Sequence, residues 1–336
     1  MSKTALRVLT MNVLEPQYAD GAARRRVLAD AVAAADPDVL ALQEVVPDDA
    51  RRLAADGWNV LPHPHTSSDG PDGPDGPVGA LLAVRAPLGR VRTDALQVSE
   101  RTARTPWCGV VAAEVTYDDP LGGVLLVHHK PSWPYGFEAE REAQARAAAV
   151  LAEEMLAEGK QRVRHAVLLG DLDAGPEAAS LRFLRGAQSL DGVSVCYQDA
   201  WEAAHPDLPG HTFTPANPLV RAGDMPLEPG RRIDHVMARC GLHGPTLRVV
   251  TCELFLAEPV AGVQASDHYG VLADFAAAER EPGAGGVIPG RSYPSSLRRH
   301  CSTFRARIPR VARRPASGMT GKMPASRYRS SISLQS

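Results

Sequence analysis

The sequence lacks any run of about 20 apolar residues, the length a helix needs to cross a bilayer. Its start, "MSKTALRVLTMNV", has no signal-peptide apolar region before its first polar residues. Both absences lead to the expectation of a cytoplasmic protein with no transmembrane segment. Cysteine is scarce: Cys108, Cys196, Cys240, Cys252 and Cys301 are scattered, with no CxxC pair and no even count. That excludes a disulfide framework and a zinc knuckle, and leaves most of them as small buried hydrophobes. Nothing indicates a coiled coil or a repeat array. Acidic residues are missing from one region only. From Pro282 onward there are ten Arg, one Lys and no Asp or Glu, so against a net charge of -2 the tail carries +11 and residues 1–281 carry -13. An acidic body argues against a duplex-binding surface, because nonspecific affinity for nucleic acid comes from Lys and Arg neutralising phosphates.

What is present is a chain of 336 residues, 44% hydrophobic, long enough for one large domain or two ordinary ones with a sizeable core. "ALRVLTMNV" reads as a β-rich run. In "DGAARRRVLADAVAAADPD", Val27, Leu28, Ala31, Val32 and Ala35 recur at helical spacing and stop near Pro37. "DVLALQEV" is a second buried strand, and the strand–helix–strand order favours an α/β domain. "VGALLAV", "CGVVAAEVTY" and "GGVLLVHH" follow one another without a helix between them, which predicts antiparallel neighbours. The Ala/Glu/Arg/Leu-rich stretch from Phe137 to about Glu158 predicts a helix. After it come "RHAVLLGDLDAG", a strand breaking into a turn, and "PEAASLRFL", a helix with Pro176 in its first turn. Further strands are expected in "RRIDHVMAR", "TLRVVTCELF" and "HYGVLADF".

Residues 62–77, "PHPHTSSDGPDGPDGP", are turn punctuation and predict an exposed loop, in preference to a metal site at His63 and His65. Beyond Ala276 the apolar period collapses. The expected division is therefore a folded domain over 1–278 and a disordered basic tail over 279–336, able to touch nucleic acid or an anionic surface.

Six apolar runs deliver polar groups where they stop or start. "LTMN" ends in Asn12, "LALQE" in Glu44, "LLVHH" in His128 and His129, and "VLLGDLD" in Asp171 and Asp173. "RRIDH" holds Asp234 and His235, and "ASDH" places Asp267 and His268 at the mouth of the last strand. A polar group at one strand end is ordinary solvation. Carboxylates, an amide and histidines at six of them are not explained as a sheet rim.

With "TMNV", "LQEV", "VHHKPSW", "GDLDA", "RRIDHV" and "SDHYGV" in this order over residues 5–275, the sequence resembles the endonuclease/exonuclease/phosphatase (deoxyribonuclease I-like) superfamily. The resemblance implies an α/β fold, a four-layer α/β/β/α sandwich with two mixed β-sheets packed face to face. It also implies Mg2+- or Mn2+-dependent cleavage of a phosphate ester by water. The residue types suit that chemistry. A phosphate ester repels hydroxide, so a divalent cation is needed on the phosphoryl and leaving oxygens, and one or two carboxylates suffice to hold Mg2+. Glu44 is the first choice of ligand, with Asn12 offering a neutral oxygen and Asp267 a second carboxylate.

By family position Asp171 orients or activates the attacking water. His268 is the other candidate base, with Asp234 accepting its second N–H. His129 would stabilise phosphoryl charge, preferred to His128 because consecutive strand residues face opposite sides. Lys130, Trp133 and Tyr135 would line a substrate pocket, and Arg141 and Gln144 match a helix that buttresses it, with Arg141 counted among the substrate-binding residues. Asp173 stands where the family usually has Asn, and a carboxylate there repels an anionic substrate unless it is protonated or bound to a cation. Two other readings compete: a binding protein on the same fold that has lost turnover, and an aspartyl-phosphate phosphatase using the "DLD" motif. The substrate is left open among nucleic acid, phospholipid head group and small phosphate ester.

Overall fold

The computed structural model describes residues 5–64, 78–104, 107–159 and 162–277, all within one compact unit spanning Met1–Arg280. His65, most of the expected 62–77 loop, Cys301 and the 279–336 tail lie outside the described residues.

Two sheets form the centre. In the first the strand order is β12 (Leu247–Phe255), β13 (Gly270–Ala277), β1 (Ala5–Asn12), β2 (Val39–Val45), β4 (Gly79–Val84) and β3 (Asn59–Pro62). The second runs β11 (Gly244–Pro245), β10 (Asp234–Gly241), β8 (Val163–Asp171), β7 (Gly123–Lys130), β6 (Gly109–Thr116) and β5 (Leu88–Asp94), with β9 (Tyr197–Asp199) paired to β10. Both are mixed: β1 pairs with β2, and β7 with β8, in parallel, and the other pairings are antiparallel.

The central strands are Val/Leu/Ala runs buried on both faces, which is what a sheet covered on both sides requires. Their inner faces meet in one core, where Val8, Val39, Leu82 and Phe275 pack with Val111, Leu126, Val167 and Val236. Outside the first sheet, Leu9, Met11, Leu40 and Leu81 are covered by α1 (Gly21–Ala35) through Leu28. Outside the second, Leu125, Val127 and Leu168 lie under α3 (Glu138–Glu158), whose Ala145, Ala148 and Ala152 form a small-residue stripe that allows close approach. The four-layer α/β/β/α order follows. Helix α1 starts where Asp20 accepts the Ala23 N–H, and ends where Asp36 adopts a left-handed φ of 45° and donates its N–H to the Val32 carbonyl.

Strands β6 and β7 are antiparallel neighbours as their spacing predicts, but β4 belongs to the other sheet. Pro176 precedes α4 (Ala179–Leu184) in a turn instead of opening the helix. Strand β5 escapes the sequence pattern because it is an exposed edge whose Arg90 and Arg92 pair with Glu114, Glu154 and Glu158, and such edges are charged.

Candidate active site

The topology gathers the polar strand ends at one rim. β7 and β8 run parallel and finish together in Lys130 and Asp171. β10 is antiparallel to β8 with Asp234 opposite Asp171, so its first residue meets the last of β8. In the first sheet β1 and β2 end in parallel at Asn12 and Glu44. The turn into β13 is tied to them by Ser266, whose Oγ donates to the Asn12 carbonyl at 2.8 Å.

Glu44 reaches the rim through a register shift between Gln43 and Val45, where it takes a left-handed φ of 55°. A bulge of this kind re-aims one side chain, and strain in a non-glycine residue at such a place marks a function. The Asn12 amide nitrogen bridges two carboxylates, lying 2.9 Å from Glu44 Oε1 and 3.2 Å from Asp171 Oδ2. Its oxygen accepts the Leu14 N–H at 3.1 Å. Asn12 therefore orders the carboxylates through its nitrogen, in place of the ligating oxygen expected from the sequence. Burial, reinforced by the charge of Asp267, pushes Glu44 up to about 7. Asp267 shares the cleft wall, and its turn is held by Asn217, whose Nδ2 donates to the carbonyls of Ser266 and Asp267 at 2.8 and 2.9 Å.

Across the rim His268 Nδ1 donates to Asp234 Oδ2 at 2.8 Å, and its ring stacks at 4.8 Å on Phe213. Burial opposes charging of this imidazole, but the Asp234 and Asp171 carboxylates outweigh it and raise His268 well above its ordinary value. Its proton is held. For Asp171, burial also favours neutrality, and Lys130, His268 and the Asn12 hydrogen bond overcome it, leaving the carboxyl at about 2. Lys130 Nζ lies 3.1 Å from Asp171 Oδ2 and is hydrogen-bonded to Asp173. Burial and the Asp171 charge raise Asp173 to about 6.

Neither histidine of "VHHK" lines the cleft. Leu125 and Val127 face α3, and strand alternation places His129 with them; burial pushes its imidazole down to about 3. His128 turns between the sheets, where Nε2 meets Gln43 at 2.7 Å and Nδ1 meets His63 at 3.1 Å. The cation that β7 delivers is Lys130, one residue further on. Arg141, expected at the substrate, instead staples the loop ahead of its helix. It donates to Glu138 and to the carbonyls of Ser132, Pro134 and Tyr135, four bonds from a group with five N–H donors. Gln144 holds the same loop, receiving the Ser132 N–H at 2.9 Å. Trp133 at the tip of this loop does line the cleft, beside Tyr18, Trp107 and Arg231, which the sequence did not single out. Asn217 also went unnoticed, although Asn followed by Pro218 opens α6 (Pro218–Ala222) as a helix-start signal.

Asn12, Glu44, Lys130, Asp171, Asp173, Asp267 and His268 line a cleft of about 620 Å³. The model of the Endonuclease/Exonuclease/phosphatase family matches residues 9–268. The chain belongs to this family. Among solved structures, D. rerio TDP2 complexed with a single-strand DNA product shares the family fold with a TM-score of 0.61 at 20% identity, over 81% of this chain and 99% of that one. An endonuclease/exonuclease/phosphatase from Bacteroides vulgatus gives a TM-score of 0.61 at 18% identity, covering 82% and 100%. The human Nocturnin catalytic domain with a bound sulfate anion gives 0.58 at 17%, covering 82% and 96%. No curated protein sequence matches the chain. Among the described residues no helix is long and apolar enough to cross a membrane.

Proposed function

We propose that the chain is a divalent-metal-dependent phosphoric ester hydrolase that cleaves by in-line attack of water. The observation that carries this is the meeting, in one cleft, of an ordered carboxylate pair, an ionised aspartate, a protonated His268–Asp234 pair and the Lys130 ammonium. We propose also that the catalytic unit is residues 1–278 and that the tail is separate from it.

A hard dication fits the residues present. Glu44 and Asp267 supply oxygen donors of the kind Mg2+ or Mn2+ takes, and their repulsion, which adds to burial in lifting Glu44 to about 7, is what a dication relieves. Asp171, Asp234 and His268 form a second group whose ligand atoms lie within 4.8 Å of one another. His268 and Asp234 are already bonded to each other, and Asp171 to Lys130 and Asn12, which suits the handling of water and phosphate. When bound, the metal supplies Lewis-acid polarisation of a phosphoryl oxygen.

The side chains supply the rest. Asp171, ionised, accepts a hydrogen bond from the attacking water and aligns it on phosphorus. His268, held protonated by Asp234, donates to the leaving oxygen as the P–O bond breaks. Lys130 faces the phosphoryl oxygens in the role the sequence assigned to His129, and Asp173 holds its ammonium in place. Paired in this way, Asp173 does not present a bare charge to an anionic substrate. That removes the main ground for a binding protein without turnover. Asp171 bonded to both Lys130 and Asn12 serves a water-aligning role better than that of the free nucleophile an aspartyl-phosphate mechanism needs.

The test is hydrolysis of bis-p-nitrophenyl phosphate and p-nitrophenyl phosphate with Mg2+, with Mn2+ and with chelator, beside Glu44→Ala. The expected outcome is metal-dependent release that the variant loses by two orders of magnitude or more. Release that persists in chelator, or in the variant, refutes the proposal.

A further inference from the structure

We infer that the cleft takes a small ester carrying one phosphate and a flat aromatic substituent, and that it rejects polyanions. The inference rests on the phosphoesterase reading above and concerns what flanks the phosphate.

Aromatic residues make up 5% of the chain, yet those left in water are concentrated at one place. Among the described residues the exposed Trp and Tyr side chains are Tyr18, Trp107, Trp133 and Tyr135, at 50, 45, 41 and 59% exposure. The first three line the cleft. Tyr135 stands behind it, 4.5 Å under the guanidinium of Arg231, itself a lining residue. Single exposed apolar groups are normal on a protein surface, but exposed indoles gathered around a polar floor offer π-faces to a planar ligand. The wall between them is apolar, made by Leu14, Val78, Leu219 and Met225.

Charge limits what can accompany that ring. Glu15, Glu44, Asp171, Asp173, Asp224 and Asp267 line the cleft, against Lys130, Arg231 and the protonated His268. All three are engaged, Lys130 by Asp171 and Asp173, Arg231 by Glu228 and His268 by Asp234. One dication and Lys130 can accommodate one phosphate. Every further phosphate of an oligonucleotide or an inositol polyphosphate would meet carboxylates, where binding such chains requires Lys and Arg. A nucleobase on a single nucleotide and a phenolic ester both present the required chemistry.

Isothermal titration of the full chain in Mg2+ tests this with phenylphosphonate, adenosine 5′-monophosphate, methylphosphonate, glycerophosphocholine and decathymidylate. At least one of the two aromatic probes should bind about tenfold or more tightly than methylphosphonate, and the tighter of the pair identifies a phenolic or a nucleotide source. Trp107→Ala and Trp133→Ala should shrink that preference below about threefold, while Trp→Phe at either position retains it. Equal affinity for methyl and aromatic phosphonates overturns the inference. So does decathymidylate or glycerophosphocholine binding as tightly as the aromatic probes. Binding is read without turnover, so the two readings fail separately. An aromatic preference in a chain that hydrolyses nothing would refute only the catalytic reading, and metal-dependent hydrolysis with no aromatic preference would refute only this one.

Discussion

Asp173 has a left-handed φ of 51°, its N–H donates to Asp171 Oδ1 at 3.1 Å, and its carboxylate grips Lys130. A short polar residue tolerates that backbone region, so one position makes the turn after β8 and anchors the cation. The pair explains how a carboxylate is accommodated beside an anionic substrate. It also separates two neighbouring residues that the sequence does not distinguish. Lys130→Met should lower kcat by about a hundredfold, the scale of losing one charge-stabilising donor, while His129→Leu should leave kcat within about threefold. Steady-state kinetics on bis-p-nitrophenyl phosphate decide, and a larger loss in the His129 variant would contradict the placement of its ring against α3. His268→Asn should cost a similar hundredfold, with a smaller loss for a slow-leaving alcohol ester ruled out, because proton donation matters most when the leaving oxygen is poor.

Elements act by bringing such residues to one height. Gly170, just before Asp171, has a φ of 151°, and a Cβ there would stand 2.1 Å from the His129 carbonyl oxygen. Only glycine lets β7 and β8 approach at their catalytic ends. Gly170→Ala should therefore destabilise the fold by roughly 2–3 kcal/mol and lower kcat as well, since the backbone must shift where Asp171 and Lys130 are placed. Urea denaturation followed by circular dichroism reads the first effect, and a variant with wild-type stability would refute the close approach. Loops obey the same logic. Arg24, fully buried, donates to the carbonyls of Val13, Leu14, Glu15 and Tyr18 and so holds the loop that carries Leu14 and Tyr18 to the cleft. Arg141 does this for the Trp133 loop.

At the scale of the whole molecule, buried titratable groups set the response to acid. His129 is pushed down to about 3 by burial, against an ordinary value near 6.5. Between those values the unfolded chain takes a proton that the fold refuses, so stability is full above about 6.5 and falls as pH drops toward 3, by up to about 1.4 kcal/mol per pH unit. Asp199 acts at lower pH. Burial works to raise it, but His235 and Arg232, 3.0 and 2.5 Å away, hold it below the usual carboxylate range. Its contribution is present above about 3.9 and is lost as pH falls through the folded value. Glu44 and Asp173, held above the ordinary carboxylate range, take up protons on folding and oppose this loss, so His129 is read from a difference: as pH drops from 7 to 4 the urea midpoint of His129→Leu should gain on that of the wild type. Asp199→Asn should lower the unfolding free energy already at pH 7, by about 3 kcal/mol, because Arg232 is left without its buried partner. An unchanged difference between His129→Leu and the wild type over that range would contradict the His129 assignment, and wild-type stability in Asp199→Asn would contradict the Asp199 one.

The sequence by itself determined the layers and the family. Apolar runs of strand length, an Ala-rich helix and six strand-end motifs survive in one dimension, because burial and local spacing write them into consecutive residues. Glu44, Asp171, Asp234, Asp267 and His268 were legible for that reason. Tertiary structure alone decided which side chains from different motifs meet. Whether His128, His129 or Lys130 reaches the cleft depends on the face each takes and on where β7 stops against β8, and one residue of register reverses the answer. That Arg141 is spent on carbonyls depends on a loop folding back over its own helix. Tyr18, Trp107, Trp133 and Arg231 are far apart in the chain and carry no common pattern. Only the packing of two sheets, which brings their loops to one rim, makes them neighbours.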